Sequence, residues 1–293
     1  MLVSKSAVIL FISLFISSSS IAQGTWNMSL ITQWTGGVCH AVAISGDTAY
    51  VGNGHSLEII DFSDPIFPSR IGKVTLGAAD SYSFIRGIEL RGDLAFLADQ
   101  NYGLRIVDVS DPSQPIETAG LFLDRVRASD VVVRDNYAYL TSGRWDWWGW
   151  GMGFGGGLFV IDISDISNPI EVAYFETQGR SLGVVVENGF AYLACSVGIY
   201  VIDISDPSNP VEVELVDIGI PTSIAIDDDL AFVGTRDDGL RIIDVSTHGN
   251  SSEIGSFETE RQCLDVAVRD SLVYLLSNGL WIIDISDPEN PEE

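Results

Sequence analysis

The chain has 293 residues, 15 Lys and Arg against 41 Asp and Glu, and a formal net charge of −26. Such a charge repels nucleic acid and anionic lipid at long range, so neither is expected as a partner. After the N-terminal segment no stretch approaches ~20 uninterrupted apolar residues, so no membrane span is expected.

Residues 1–22 read as a secretory signal peptide. Lys5 is the one early charge, AVILFISLFI forms a short apolar run, and SSSSIA ends in small residues at Ala22. Cleavage is expected between Ala22 and Gln23, which places the mature chain in the secreted, periplasmic or cell-surface space. No Cys follows that point, which argues against a lipid-modified N-terminus. The leader carries off Lys5 and no acid, leaving 14 basic residues against 41 acidic ones. This acidity suits a solvated surface first; as support for bound calcium it is weak.

The mature chain, 23–293, reads as one domain because one phrase returns through it. GLRIVDVSDPSQP at 103–115 recurs as SLEIIDFSDPIFP from Ser56, GLFVIDISDISNP from Gly157, GIYVIDISDPSNP from Gly198, GLWIIDISDPENP from Gly279 and, eroded, GLRIIDVSTHGN from Gly239. Aligned on Asp61, Asp108, Asp162, Asp203, Asp244 and Asp284, the copies are spaced by 47, 54, 41, 41 and 40 residues. A period near 41 suits four strands and their turns.

Each unit opens with a strand such as DVVVR (130–134) or DVAVR (265–269), turns tightly at SGD, RDN or ENG, and continues through AYV, AFL, AYL, AYL, AFV or VYL. The repeated phrase is the third strand. Apolar residues occupy both of its alternating faces, so it is buried on both sides. The SDPxxP corner stops the ladder, because proline lacks a donor and fixes φ. A fourth strand follows, as in EVAYF (171–175). Sheets that are apolar on both faces are covered by stacking radially, which predicts an all-β, six-bladed β-propeller with four antiparallel strands per blade. The last copy stops at PENPEE after three strands, and MSLITQW (28–34) resembles the fourth-strand segments. Residues 28–34 are therefore expected to complete the last blade and close the ring.

The phrases LRIVDVSDPSQP and IYVIDISDPSNP resemble the LVIVD repeat of bacterial and archaeal exported or cell-surface proteins, over residues 38–291. The resemblance implies a propeller at the cell surface and no particular chemistry. STHGN at 246–250 departs from the motif, so the fifth corner is expected to take a different shape.

The corner aspartates are tempting metal ligands, but Asp and Ser accept backbone N–H bonds in turns, and that reading comes first. No cofactor and no metal site are expected. The stretch 144–157, RWDWWGWGMGFGGG, holds four of the seven Trp and breaks the period. Trp145, Trp147, Trp148 and Trp150 suit stacking on sugar rings or capture of a protein partner; a flap packed on itself is the equal alternative. The same face collects Arg86, Arg125, Arg127, Arg180 and Arg261 on loops leading into innermost strands, Arg144 and Arg236 beside them, and His40. These could focus an anionic ligand or simply pair with Asp124, Asp146, Glu176, Asp237, Glu258 and Glu260. Cys39 and Cys263 stand at equivalent positions of blades one and six, and a disulfide between them is expected, against two separately packed thiols. No HExxH or CxxC is present. The leading functional reading is a non-catalytic module recognising an extracellular glycan or protein through the face carrying 144–157. A polysaccharide-active enzyme using channel-mouth carboxylates is the alternative. A structural module of a longer surface protein, suggested by the stop at Glu293, is a third reading.

Overall fold

The computed structural model describes residues 39–77, 83–124, 126–144 and 155–293. Six antiparallel sheets follow one another in chain order. Blade one is β1 (Cys39–Ser45), β2 (Thr48–Asn53), β3 (Ser56–Asp61) and β4 (Ser69–Thr75). Blade two is β5 (Ile85–Arg91), β6 (Leu94–Asp99), β7 (Gly103–Asp108) and β8 (Ile116–Phe122). Blade three is β9 (Val126–Arg134), β10 (Tyr137–Arg144), β11 (Gly156–Asp162) and β12 (Ile170–Thr177). Blade four is β13 (Ser181–Glu187), β14 (Phe190–Cys195), β15 (Gly198–Asp203) and β16 (Val211–Val216). Blade five is β17 (Pro221–Asp227), β18 (Leu230–Thr235), β19 (Leu240–Asp244) and β20 (Ser252–Phe257). Blade six has β21 (Asp265–Arg269), β22 (Leu272–Leu276) and β23 (Leu280–Asp284) among the described residues. The first strands pack against one another in the order β1, β5, β9, β13, β17, β21, so they are the innermost ones, and the molecule is a six-bladed β-propeller.

The third strands behave as their two-sided apolar pattern requires. In β7, Leu104 and Ile106 enter a core shared with blade three, while Val107 enters one shared with blade one. Further cores join blades three and four, four and five, and five and six. Each fully buried side chain of this size contributes about 1.5–3 kcal/mol. The hairpin between first and second strands needs positive φ at its first turn residue, and Gly46, Gly92, Asp135, Asn188, Asp228 and Asp270 supply it, at 49° to 57°.

The corners settle the role of the repeated aspartates. In every blade the first Asp accepts the backbone N–H of the Ser two residues on, at 2.8–2.9 Å. Hydrogen bonds from that serine's hydroxyl and N–H together hold the carboxyls below the ordinary range, the hydroxyl leading at Asp108, Asp244 and Asp284. Among the described residues no cluster of three or more acidic, His or Cys side chains could hold a metal ion. The fifth corner takes the different shape expected of it: Gly249 stands at the third position of its turn with a φ of 86°, where Ile66, Ser113, Ser167, Ser208 and Glu289 of the other corners have no positive φ, and only the closing bond is kept. Asn250 N–H donates to the Thr247 carbonyl at 3.0 Å, as Gln114 N–H donates to Asp111 at 2.9 Å. The second aspartate cap is gone, and His248 stacks on Phe190 of blade four and lies 2.9 Å from the Tyr192 hydroxyl.

Two further expectations meet the seam between blades six and one. Asp284 pairs with Glu292, in the same eight-residue offset as Asp108 with Ile116, so the chain itself begins the fourth-strand position of blade six. Residues 28–34 lie outside the described residues, as does the leader. The expected Cys39–Cys263 disulfide is corrected: both are free thiols, as is the buried Cys195. Each has a local partner instead. Cys39 Sγ donates to the Ala41 carbonyl at 3.3 Å, and Cys263 packs into the core of blades five and six, 3.7 Å from Thr259 Oγ1. Burial pushes the Cys39 thiol up to about 11, so it is a poor nucleophile near neutrality.

Two outcomes follow. A Cβ at Gly72 of β4 would collide with the Pro112 carbonyl at the corner of blade two. Gly72→Ala is therefore expected to cost about 1–3 kcal/mol in urea denaturation. Gly279→Ala, where a Cβ meets nothing within 4 Å, serves as the control and should not lower the midpoint. Equal midpoints for the two variants would contradict this close approach between blades. For the cysteines, protein denatured without reductant should titrate three thiols; a count of one would restore the bridge.

Candidate functional site

The first strands begin around one mouth of the central channel. Arg86 sits on β5, Arg127 on β9, Arg180 just before β13, and His40 on β1. Arg86 is anchored by neutral groups: Nε donates to Gln100 Oε1 at 2.7 Å, Nη1 lies 3.4 Å from His40 Nδ1, and the guanidinium stands 5.6 Å from the Phe84 ring centre. The His40 ring packs edge-on to Phe84 at 5.0 Å. Burial and then the Arg86 charge hold His40 below its ordinary value. A guanidinium has only donors, so Nδ1 of the neutral ring accepts and Nε2 carries the proton.

Arg180 is placed by its backbone and by a glycine. Its N–H donates to Ser196 Oγ at 3.1 Å, and its side chain crosses Gly143 so closely that a Cβ there would come within 3.1 Å of Nε. Gly143 in turn pairs with Arg127 across β9 and β10. The charge of Arg180 reaches the other two. Arg86 is lowered by burial, then by the charges of Arg180 and Arg127; Arg127 is lowered by burial, then by Arg180. Three of the sequence-predicted arginines and His40 are thus brought together. Arg144 ends β10 opposite Val126, at the edge of this group. Its side chain, the residue Arg125, and Trp145, Trp147, Trp148 and Trp150 lie outside the described residues. Arg105, buried in the repeated phrase, belongs to the framework: Asp99 and Glu117 each take one of its N–H groups at 2.6 Å, and Tyr102 stacks beneath it at 3.7 Å.

Below the mouth, sequence reasoning missed a pair of carboxylates. The innermost strands meet at a ring of equivalent positions: Ala41, Gly87, Asp130, Gly183, Ser223 and Asp265. Asp130 and Asp265 stand three blades apart on this ring of six and are partly exposed. Asp130 Oδ1 accepts its neighbour Val131 N–H at 2.8 Å, and Oδ2 accepts Val184 N–H of blade four at 3.1 Å. Asp265 Oδ1 accepts Val266 N–H at 2.9 Å. Burial raises the Asp265 carboxyl to about 6; the Val266 bond opposes this and the Asp130 charge adds to it. The signal was present in DVVVR and DVAVR, whose first letter is Ala, Gly, Gly and Ser in the other blades.

Asp265 carries a pH signature. Its folded value lies above the unfolded 3.8, so the native state holds the proton more tightly. Native stability therefore falls as pH rises through the interval from 3.8 to about 6. Asp265→Asn, measured by urea denaturation in chelator, should gain on the wild type across that interval and keep a constant offset above it. An offset that does not change with pH would show that Asp265 titrates normally.

Among curated proteins, none matches. A periplasmic gluconolactonase of Pseudomonas aeruginosa superposes with a TM-score of 0.70 at 14% identity, covering 87% of this chain and 83% of that one. A putative 6-phosphogluconolactonase of Bacteroides fragilis gives 0.66 at 14%, covering 88% and 83%. The computationally designed protein Ika8 gives 0.63 at 12%, covering 86% and 72%. At these identities the likeness is one of fold alone. The LVIVD repeat model matches residues 36–75, 85–120, 127–145, 152–177, 178–218, 218–259 and 261–293. Seven segments fit six blades because 127–145 and 152–177 are the two halves of blade three, parted by the Trp-rich stretch. The chain belongs to the LVIVD-repeat family.

Proposed function

We propose that the protein is an exported, non-catalytic binding module that takes an acidic glycan at the mouth formed by Arg86, Arg127, Arg180 and His40, with the Trp-rich stretch 144–157 beside it. One observation carries this reading: guanidiniums from three consecutive blades gather closely enough that the Arg180 charge depresses both Arg86 and Arg127. Like charges held together store unfavourable energy that a bound anion releases, and guanidinium forks match carboxylate or sulfate oxygens. The body around them is strongly acidic, so the mouth is a local inversion of sign that concentrates an anion where it is held. Export rests on residues 1–22, and stacking rests on Trp147 and Trp148 as sugar platforms.

Glycan-array binding followed by calorimetry tests the reading. Uronate-bearing or sulfated saccharides should bind better than neutral ones, and the affinity should fall with added salt. Arg127→Ala/Arg180→Ala should weaken binding by at least about tenfold, or 1.4 kcal/mol. Trp147→Ala/Trp148→Ala should weaken acidic and neutral saccharides alike. Binding of acidic saccharides that is unchanged in the arginine variant would overturn the anion reading. New reducing ends on a bound glycan would replace a binding module with an enzyme.

A further inference from the structure

The innermost strands share a local irregularity at the mouth. Five of them slip register at the same place, so that one residue of each has no partner across its hairpin: His40 in β1, Arg86 in β5, Ser129 in β9, Leu182 in β13 and Thr222 in β17. A bulge of this kind re-aims the side chain it carries. Of the five bulge residues only His40 and Arg86 are titratable, and they stand in adjacent blades. Both reach solvent, and Arg86 Nη1 lies 3.4 Å from His40 Nδ1. Phe84 backs the pair, its ring centre 5.0 Å from that of the imidazole and 5.6 Å from the guanidinium carbon.

On its own strand His40 follows Cys39, whose thiol burial pushes up to about 11, so it keeps its proton. Across the hairpin β2 brings Asn53, which is neutral. From blade two β5 brings Arg86, with Arg127 and Arg180 beyond it. The acid nearest in register, Asp99 opposite Ile85, is held by Ser83 and Arg105. In blade six the residue before Asp265 is the exposed, uncharged Leu264. Among the described residues, Arg86 is thus the charge that acts on the imidazole. With the mouth empty, a second positive charge beside Arg86 is unfavourable and the ring stays neutral. An oxyanion set between the two groups reverses this. Its charge offsets that of Arg86, the ring takes a proton from water at Nδ1, and Nδ1 turns from acceptor to donor. Arg86 and the imidazolium then both donate to the anion.

We propose that the mouth binds its anion with uptake of a proton: the oxyanion sits between Arg86 and His40, the imidazole protonates at Nδ1 as it binds, and acidic ligands are held more tightly in mildly acid than in neutral surroundings. This regulation rests on the anion reading of the mouth. In the free protein, burial and then the Arg86 charge hold His40 below its ordinary 6.5. The bound anion raises it. By linkage, affinity is greatest below the free value and falls as pH rises through the bound one.

Calorimetric titration with a sulfated disaccharide, whose own charge is constant over the range, tests it at about pH 5 and about pH 8, which bracket histidine titration. The affinity should be about tenfold higher at the lower pH, the gain that one unit of pKa change on binding gives. Titrations between the two, in buffers of different ionisation heat, should show protons taken up on binding. His40→Asn keeps an acceptor for Arg86 but takes no proton, so it should lose both the gain and the uptake. Asp265 also protonates in this range. Asp265→Asn is therefore run beside it and should retain both. Should His40→Asn fail to fold, the wild-type His40 resonance decides by NMR, titrating higher with the disaccharide bound than without it. Equal affinity at both pH values, or a gain that survives in His40→Asn, overturns the proposal and leaves the anion reading standing. No binding at either pH overturns both.

Discussion

Everything in this molecule depends on a strand that is apolar on both faces. In β7, Leu104 and Ile106 look toward blade three while Val107 looks toward blade one. A sheet carrying such a strand at its centre cannot leave either face to water, and no helix among the described residues covers it. Its neighbours must be more sheets of the same kind, and sheets with native twist stacked face to face close into a ring. The ring then dictates where chemistry can occur. Blade interiors are committed to packing and to framework ion pairs such as Arg105 with Asp99, so free charge gathers at the two rims and at the narrow circle where the first strands meet.

The corner aspartates show how repetition and function part company. Each is committed to the N–H of the serine that follows, and the bond recurs in all six blades. A carboxylate saturated in this way, and spread around the outer rim with its copies, has no second partner to form a site with. Blade five sharpens the point. It loses the second aspartate and both prolines, and Asn250 still reaches the Thr247 carbonyl by way of Gly249 at positive φ. The closing bond survives a change of turn, so the side chains choose the route and the bond fixes the end.

How much could be read from the sequence follows from the same logic. Strand order and the hairpin turns were legible because each depends on local residues: an Asp, Asn or Gly must stand where φ is positive, and one does in each blade. The arginine mouth was half legible. Seven basic residues fall on the right loops, but only the fold shows Arg86 held by Gln100 and Arg180 laid across Gly143 beside Arg127. The cysteine expectation failed because equivalence of position in two blades does not supply a short distance between side chains. Cys39 turns to its own strand, and Cys263 turns into the core on its other side. The ring carboxylates were invisible for the converse reason: 135 residues separate Asp130 from Asp265 in the sequence, and only closure of the ring sets them on opposite sides of one axis.

Mouth and ring are stacked on that axis with opposite sign. Arg127 and Asp130 lie three residues apart on β9, which at about 3.3 Å per residue puts them about 10 Å from each other. That is close to the screening length of physiological salt, about 8 Å, and the path between them runs through protein, where screening is weaker. Even so, each layer acts within itself: after burial, the arginine charges lower Arg86 and Arg127, while Asp130 adds to the rise of Asp265. The strands that line the channel hold like charges together at each level, and packing of the blades around them offsets that repulsion.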